Sequence, residues 1–356
     1  MKKINLRELH RMDLPKTVII GNNILERVTE IYPMFNEYKN IIFTGPNIYK
    51  SIVLVKLDKY LLSNSRVFIV NDASWSEIYR IERSIRNSKL LQKSKFFIGI
   101  GGGRVIDVAK MVSYRLNKEF ISIPTSASHD GIASQFVSLR DRERAYSYVT
   151  KPPSAVIVDI KIILSAPKRF IASGFGDAIA KLTAVRDWKL AHEKTGEYYG
   201  EYAANLALLG AELVKKHSKG IGLKNEDSVR TLVEALISDG VAAGIAGSSR
   251  PCSGSEHLFS HALDIYASKH ALHGEQVGVG TILMAHLHGL DYEEIKIKLK
   301  EVGAPTNYKE LGIPKEDIIN ALVKAKLIRP ERYTILNEYT MDRCKAEEIA
   351  KKTGVI

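Results

Sequence analysis

The chain has 356 residues, 45% of them hydrophobic and 26% charged, a globular balance at a length that favours two domains over one. Its 52 lysines and arginines outnumber 40 aspartates and glutamates for a net charge of +12, yet the cations are scattered and never interleaved with aromatics, which excludes nucleic acid as an expected partner and favours small anionic ligands. No apolar run reaches the roughly 20 residues of a membrane span and the start lacks a signal-peptide pattern, while Cys252 and Cys344 make neither a disulfide framework nor a metal-type spacing; a cytoplasmic protein with no transmembrane segment is expected.

The first part of the chain alternates. Short β-rich runs at Thr17–Ile20, Asn40–Thr44, Arg66–Val70, Lys95–Gly99 and Phe120–Ile123 are separated by stretches with helical periodicity. That rhythm predicts a mostly parallel, Rossmann-like sheet covered on both faces. Phe136–Leu139 and Tyr146–Val149 read as a hairpin around the charged turn Arg140–Arg144, and Ala155–Asp159 as a last strand. From about Ser165 the texture becomes alanine- and leucine-rich with apolar residues three and four apart, which predicts an all-α carboxy-terminal part. The expected domains are therefore an α/β dinucleotide-binding domain, 1–163, and a helical metal-binding and substrate domain, 164–356. The active site is expected in the cleft between them, because ligands of open α/β sheets bind beyond the carboxyl ends of the strands.

Two loops leave neighbouring strands on that edge. Gly99-Ile-Gly101-Gly102-Gly103-Arg104-Val105-Ile106-Asp107 reads as strand, glycine turn and helix, a shape that brings backbone N–H groups and a helix dipole to a pyrophosphate. It departs from the G-x-G-x-x-G fingerprint and follows the fourth strand, not the first. Pro124-Thr125-Ser126-Ala127-Ser128-His129-Asp130-Gly131 offers hydroxyls for phosphate and ribose and a carboxylate for a substrate hydroxyl. The end of the second strand, Phe43-Thr44-Gly45-Pro46-Asn47, carries no acidic residue to repel a 2′-phosphate, so NADPH is admissible beside NADH.

The second half supplies a metal-type constellation. Asp177 and Lys181 lie four apart on one predicted helix, and so do His257 and His261 in Gly247-Ser-Ser-Arg250-Pro-Cys-Ser-Gly-Ser-Glu-His257-Leu-Phe-Ser-His261; that spacing sets each pair on one face. His273 stands before Gly274, a plausible helix break. An Asp/His/His shell with one position open has the form of a catalytic metal site, and zinc, iron or manganese would suit its ligand types. His270, His286 and His288 are less well placed.

Together, the glycine turn, the Pro124–Gly131 loop, Ser173-Gly-Phe-Gly-Asp177-Ala-Ile-Ala-Lys181, the Gly247–His261 segment and Ile328-Arg-Pro-Glu-Arg-Tyr-Thr-Ile-Leu336 resemble the sn-glycerol-1-phosphate dehydrogenases, archaeal ether-lipid enzymes. Their wider superfamily takes in glycerol dehydrogenase, 3-dehydroquinate synthase and the iron-containing alcohol dehydrogenases. The resemblance implies NAD(P) contacts from Gly101 and Gly102, from Gly103 to Asp107, from Thr125 to Ser128 and from Ser134. It implies substrate contacts from Asp130, His261 and Asp177, with Asp130 and His261 closest to the chemistry. It assigns one zinc per chain to Asp177, His257 and His273, since Lys181 stands where iron-type enzymes carry a fourth ligand, a histidine. The implied reaction is reduction of dihydroxyacetone phosphate, for whose phosphate Arg250 and Lys181 are the candidate cations. A glycerol dehydrogenase, a 3-dehydroquinate-synthase-like lyase and a non-catalytic nucleotide-binding protein are the rival readings, and a homo-oligomer is admissible.

Overall fold

In the computed structural model the described residues are 10–141 and 144–356. Six parallel strands form the main sheet: β1 (Thr17–Gly21), β2 (Lys39–Thr44), β3 (Ser65–Ile69), β4 (Ser94–Gly101), β5 (Glu119–Pro124) and β8 (Ala155–Asp159), in the order β1-β8-β5-β4-β2-β3. Runs such as Ile41-Ile42-Phe43 and Phe96-Phe97-Ile98 are buried on both faces, as parallel strands roofed by helices require. From β2 the chain steps outward to β3, then returns across β2 to β4 and continues to β5. The switch point therefore lies between β2 and β4, where a ligand crevice opens beyond the carboxyl ends. The glycine turn sits at that crevice. The expected hairpin is present as β6 (Phe136–Asp141) paired antiparallel with β7 (Arg144–Val149); of its charged turn, positions 142 and 143 lie outside the described residues, as do the first nine residues.

The longer helices used below are α1 (Gly103–Arg115), α2 (Lys168–Ile179), α3 (Lys181–Thr195), α4 (Glu226–Ala246), α5 (Ser255–Tyr266) and α6 (His273–Leu287). All regular structure described beyond β8 is helical. Val156, Val158, Ile160 and Ile163 pack into the same apolar cluster as Phe175, Leu236, Phe259 and Ile282. The expected division after residue 163 is thus a change of architecture without a gap in packing. Among the described residues no helix is long and apolar enough to cross a membrane.

Two local expectations differ. Asp177 and Lys181 are not on one helix: α2 ends at Ile179, and α3 starts at Lys181. Nor is Gly274 a break, since α6 begins at His273 with Leu272 as its N-cap. Gly274 is needed for contact instead. A Cβ there would lie 1.8 Å from the Ser173 carbonyl oxygen, and one at Gly176 would lie 2.1 Å from the Gly274 carbonyl oxygen. The backbones of α2 and α6 therefore meet with no side chain between them. Arg169 clamps the same crossing with paired bonds of 2.6 and 2.7 Å to the Glu275 carboxylate. This close crossing brings Asp177 beside His273.

Candidate active site

Asp177, His257 and His273 each point one ligand atom into a common space, all within 4.8 Å of one another. They come from α2, α5 and the first residue of α6. The His257 Nε2 to Asp177 Oδ1 separation is 3.3 Å; two ligands on a tetrahedral ion with bonds of roughly 2.0–2.1 Å stand about 3.3 Å apart. His257 Nδ1 meets Glu256 Oε1 at 2.7 Å, a carboxylate backing of the kind that fixes a ligating imidazole. Burial works against a charged His257, but hydrogen bonds with Asp177 and Glu256 prevail and raise its pKa. Burial, then the neighbouring His257 charge, pushes His273 down to about 3 and keeps it neutral. Asp177 is held well below the usual carboxylate range: burial opposes this, and the Lys181 charge and the His257 hydrogen bond overcome it. The neutral His273 and the ionised Asp177 are donor states that suit a divalent cation, which would have to displace the proton between His257 and Asp177 in order to bind.

Glu256 was not singled out from the sequence. It is fully buried and accepts from the Gly254 N–H at 2.6 Å and the Thr183 hydroxyl at 2.8 Å as well as facing His257. A glutamate next to a candidate ligand at a helix N-terminus was the available signal.

Lys181 is also fully buried, and its ammonium contacts Asp177 Oδ1 at 3.1 Å, Asp130 Oδ2 at 3.1 Å and Asp239 Oδ2 at 4.0 Å. Three carboxylates surround the cation. It is therefore no free anchor for a substrate phosphate; it occupies the edge of the ligand cluster and compensates its negative charge. Arg250 is displaced from that role too. Only 3% of its surface is exposed, its Nε and Nη2 are paired with the two oxygens of Glu197, and its Nη1 donates to the Tyr333 carbonyl at 2.9 Å. Sequence spacing placed Arg250 near His257; Glu197, 53 residues upstream, takes its donors.

Asp130 joins the two halves of the cleft. Its backbone N–H donates to Asp177 Oδ2 at 2.8 Å, and its partly exposed carboxylate meets Lys181. The Ser128 carbonyl accepts from the Ser173 hydroxyl at 3.2 Å, a second tie to α2. His261, one turn beyond His257, has its ring centre 6.0 Å from that of His273. Its Nδ1 lies 3.8 Å from Asp264 Oδ2, too far for a hydrogen bond. Burial lowers its pKa despite that carboxylate. His288 is bound to Asp187 at 3.0 Å and belongs to the scaffold.

At the switch point, Gly102 caps α1. The amides of Val105 and Ile106 already donate to the Gly102 carbonyl, and their side chains lie in the sheet's core. Asp107 is buried as well and accepts from the Ser138 N–H at 3.1 Å. Gly101, Gly102, Gly103 and Arg104 remain at the crevice. A Cβ on Gly102 would approach the Ser126 hydroxyl to 3.3 Å, and one on Gly103 would overlap the His129 ring at 1.9 Å. His129, also not singled out, thus lies against the glycine turn. Thr125 donates its amide to Gly101 at 3.0 Å. Ala127 and Ser134 face inward: Ala127 belongs to the helical core, and Ser134, 2% exposed, offers its carbonyl to the buried Lys110. Lys110 gathers the carbonyls of Gly131, Ser134 and Phe136 within 2.9 Å and so holds the polar loop in shape; burial brings its pKa down to about 8.

A sheet with its glycine turn at the switch point, faced by an acid and two histidines on a helical body, is the arrangement of a known class. Residues 19–167 match the family of iron-containing alcohol dehydrogenases. The glycerol dehydrogenase of Schizosaccharomyces pombe shares the fold with a TM-score of 0.77 and 19% identity, over 98% of this chain and 94% of that one. Within that class, two full-length relatives are nearer. Proteins named glycerol-1-phosphate dehydrogenase (NAD(P)+) from Pyrococcus abyssi and Metallosphaera sedula are each 48% identical over 98% of this chain, covering 100% and 98% of their own lengths. The chain belongs to the glycerol-1-phosphate dehydrogenase family.

Proposed function

We propose that the protein reduces dihydroxyacetone phosphate to sn-glycerol 1-phosphate with NADPH or NADH, in the cytoplasm, as the source of the glycerophosphate backbone of archaeal membrane lipids. The observation that carries this reading is the facing of the Asp177, His257 and His273 cluster with the Asp130 and His261 side chains at the crevice. The family named above supports it. Zinc fits the three donors best, with one coordination position free. A metal ion there supplies a Lewis acid for the substrate carbonyl.

The chain's own groups do the rest. The N–H groups at the start of α1 and the Thr125–Ser128 loop orient the nicotinamide cofactor over the crevice. Asp130, held toward Asp177 by its own backbone and partnered by Lys181, accepts a hydrogen bond from the free hydroxymethyl end. His261, with Nδ1 turned to Asp264, would relay a proton, releasing one from Nε2 to the substrate oxygen, directly or through water, as Nδ1 takes one up. The exposed Arg104 reaches from the β4 turn to the Asn71 carbonyl after β3 at 2.7 Å, and in the order β4-β2-β3 that path crosses above the end of β2. A cation there, with Gly45 in place of a carboxylate, suits a 2′-phosphate.

The test is oxidation of reduced cofactor followed at 340 nm with dihydroxyacetone phosphate, and chiral analysis of the product. NADPH is expected to serve at least as well as NADH. Activity with NADH alone would remove the reading of the β2 end, and no net oxidation with either would remove the dehydrogenase reading in favour of a lyase.

A further inference from the structure

We infer that the Arg329 guanidinium anchors the phosphate of the substrate. The inference rests on the phosphorylated substrate proposed above, and it comes from a census of donors around the cleft. A phosphate monoester is best held by a guanidinium with free, parallel N–H groups. The charges of Arg250 and Arg329 both act on Arg332, and Lys181 lies among the metal-type donors. Lys181 is spent on three carboxylates, and Arg250 on Glu197 and Tyr333. Arg332 donates to the Ser253 carbonyl at 2.8 Å, the Ser253 hydroxyl at 3.3 Å and the Ser249 hydroxyl at 2.9 Å. The Arg329 guanidinium has no hydrogen-bond or ion-pair partner among the described residues. Its side chain is half-buried.

Its place in the fold puts it opposite the reacting end. The chain after Lys324 runs back along α5. At one end the Lys324 ammonium stands 4.1 Å above the Tyr266 ring, the last residue of α5; at the other Arg332 grips Ser253, just before its start. Residues 325–327 pack against α5 between these clamps. Arg329 therefore stands by the middle of α5, the turn that carries His257 and His261, and its positive charge is felt at His261. Burial disfavours the charged guanidinium, and the Glu331 charge offsets this in part. A dianionic phosphate would compensate that charge. This also gives a task to the Ile328–Leu336 segment, which the ligands and the cofactor turn leave unused.

The test compares dihydroxyacetone phosphate with unphosphorylated dihydroxyacetone in the metal-loaded wild type, Arg329→Ala, Arg329→Lys and Arg250→Ala. Arg329→Ala is expected to raise the KM for the phosphorylated substrate roughly ten- to a hundredfold, with a far smaller change in kcat/KM for dihydroxyacetone. Arg329→Lys should fall between, keeping the charge without the fork, and Arg250→Ala should affect both substrates alike. Calorimetric titration of each protein with dihydroxyacetone phosphate gives the same comparison without turnover, and Arg329→Gln replaces the Ala variant if the latter does not fold. A wild type with no preference for the phosphorylated compound removes the phosphorylated substrate and the anchor with it. An Arg329→Ala enzyme that keeps the wild-type preference removes the anchor alone.

Discussion

Replacing His257 by Ala is expected to strip the protein of its bound metal and of at least about 4 kcal/mol of transition-state stabilisation, roughly a thousandfold in rate. The residue is 6% exposed and sits between Asp177 and Glu256. Its loss removes one of three ligand atoms and leaves the other two, from α2 and α6, to hold the ion without the third. It also leaves Glu256 facing an empty space, although the Gly254 and Thr183 bonds still satisfy that carboxylate. The fold should therefore survive. Metal content by mass spectrometry, near-ultraviolet circular dichroism and initial rates measured on one preparation check the three parts. A His257→Ala protein with a full complement of metal and wild-type turnover would overturn the ligand assignment.

Lys181→Met should cost about 3–5 kcal/mol of stability in the metal-free protein, because removing one member of a buried ionic cluster leaves the others uncompensated. The side chain has no exposed surface and contacts Asp177 and Asp130 directly. Burial works against its charge, but the carboxylates of Asp177, Asp130 and Asp239 outweigh it and raise the pKa well above the ordinary value. Asp239 differs: burial pushes its pKa well up, against the pull of Lys181, so its carboxyl is already inclined to be neutral. Asp239→Asn is therefore expected to cost far less than Lys181→Met. Saturating metal should reduce the Lys181→Met loss, since the ion takes over part of the compensation of Asp177. Urea unfolding of the wild type and both variants, with and without metal, measures these differences, and wild-type stability of Lys181→Met in both conditions would refute the role.

The strands were legible because a parallel sheet buries both faces, so stretches like Asn40–Thr44 and Phe120–Ile123 are short, mostly apolar runs bounded by polar turns. The clustered histidines stand out for a similar reason, as His257 and His261 four apart on one helix and His273 at the start of the next. What local pattern does not encode is which long-range partner claims a side chain. Arg250 looked available for an anion, yet Glu197 from a different segment holds it. Val105 and Ile106 followed the glycine turn as if to line the crevice, whereas one turn of helix rotates them into the core. Glu256 and His129 escaped notice because a buried carboxylate or a ring pressed on a glycine is defined by what closes over it.

The three donor atoms belong to helices that approach this closely only in the native state: Asp177 is eighty positions before His257, and the contact of α2 with α6 depends on backbone meeting backbone at Gly274. An unfolded chain offers the ion no comparable site. An ion held by these three donors would be a cross-link as well as a reagent, tying three helices at one point. By mass action, free metal at a thousand times its dissociation constant would add about 4 kcal/mol to the stability of the folded form. Metal supply would then be expected to set how much of the folded protein persists, and not only how fast it works.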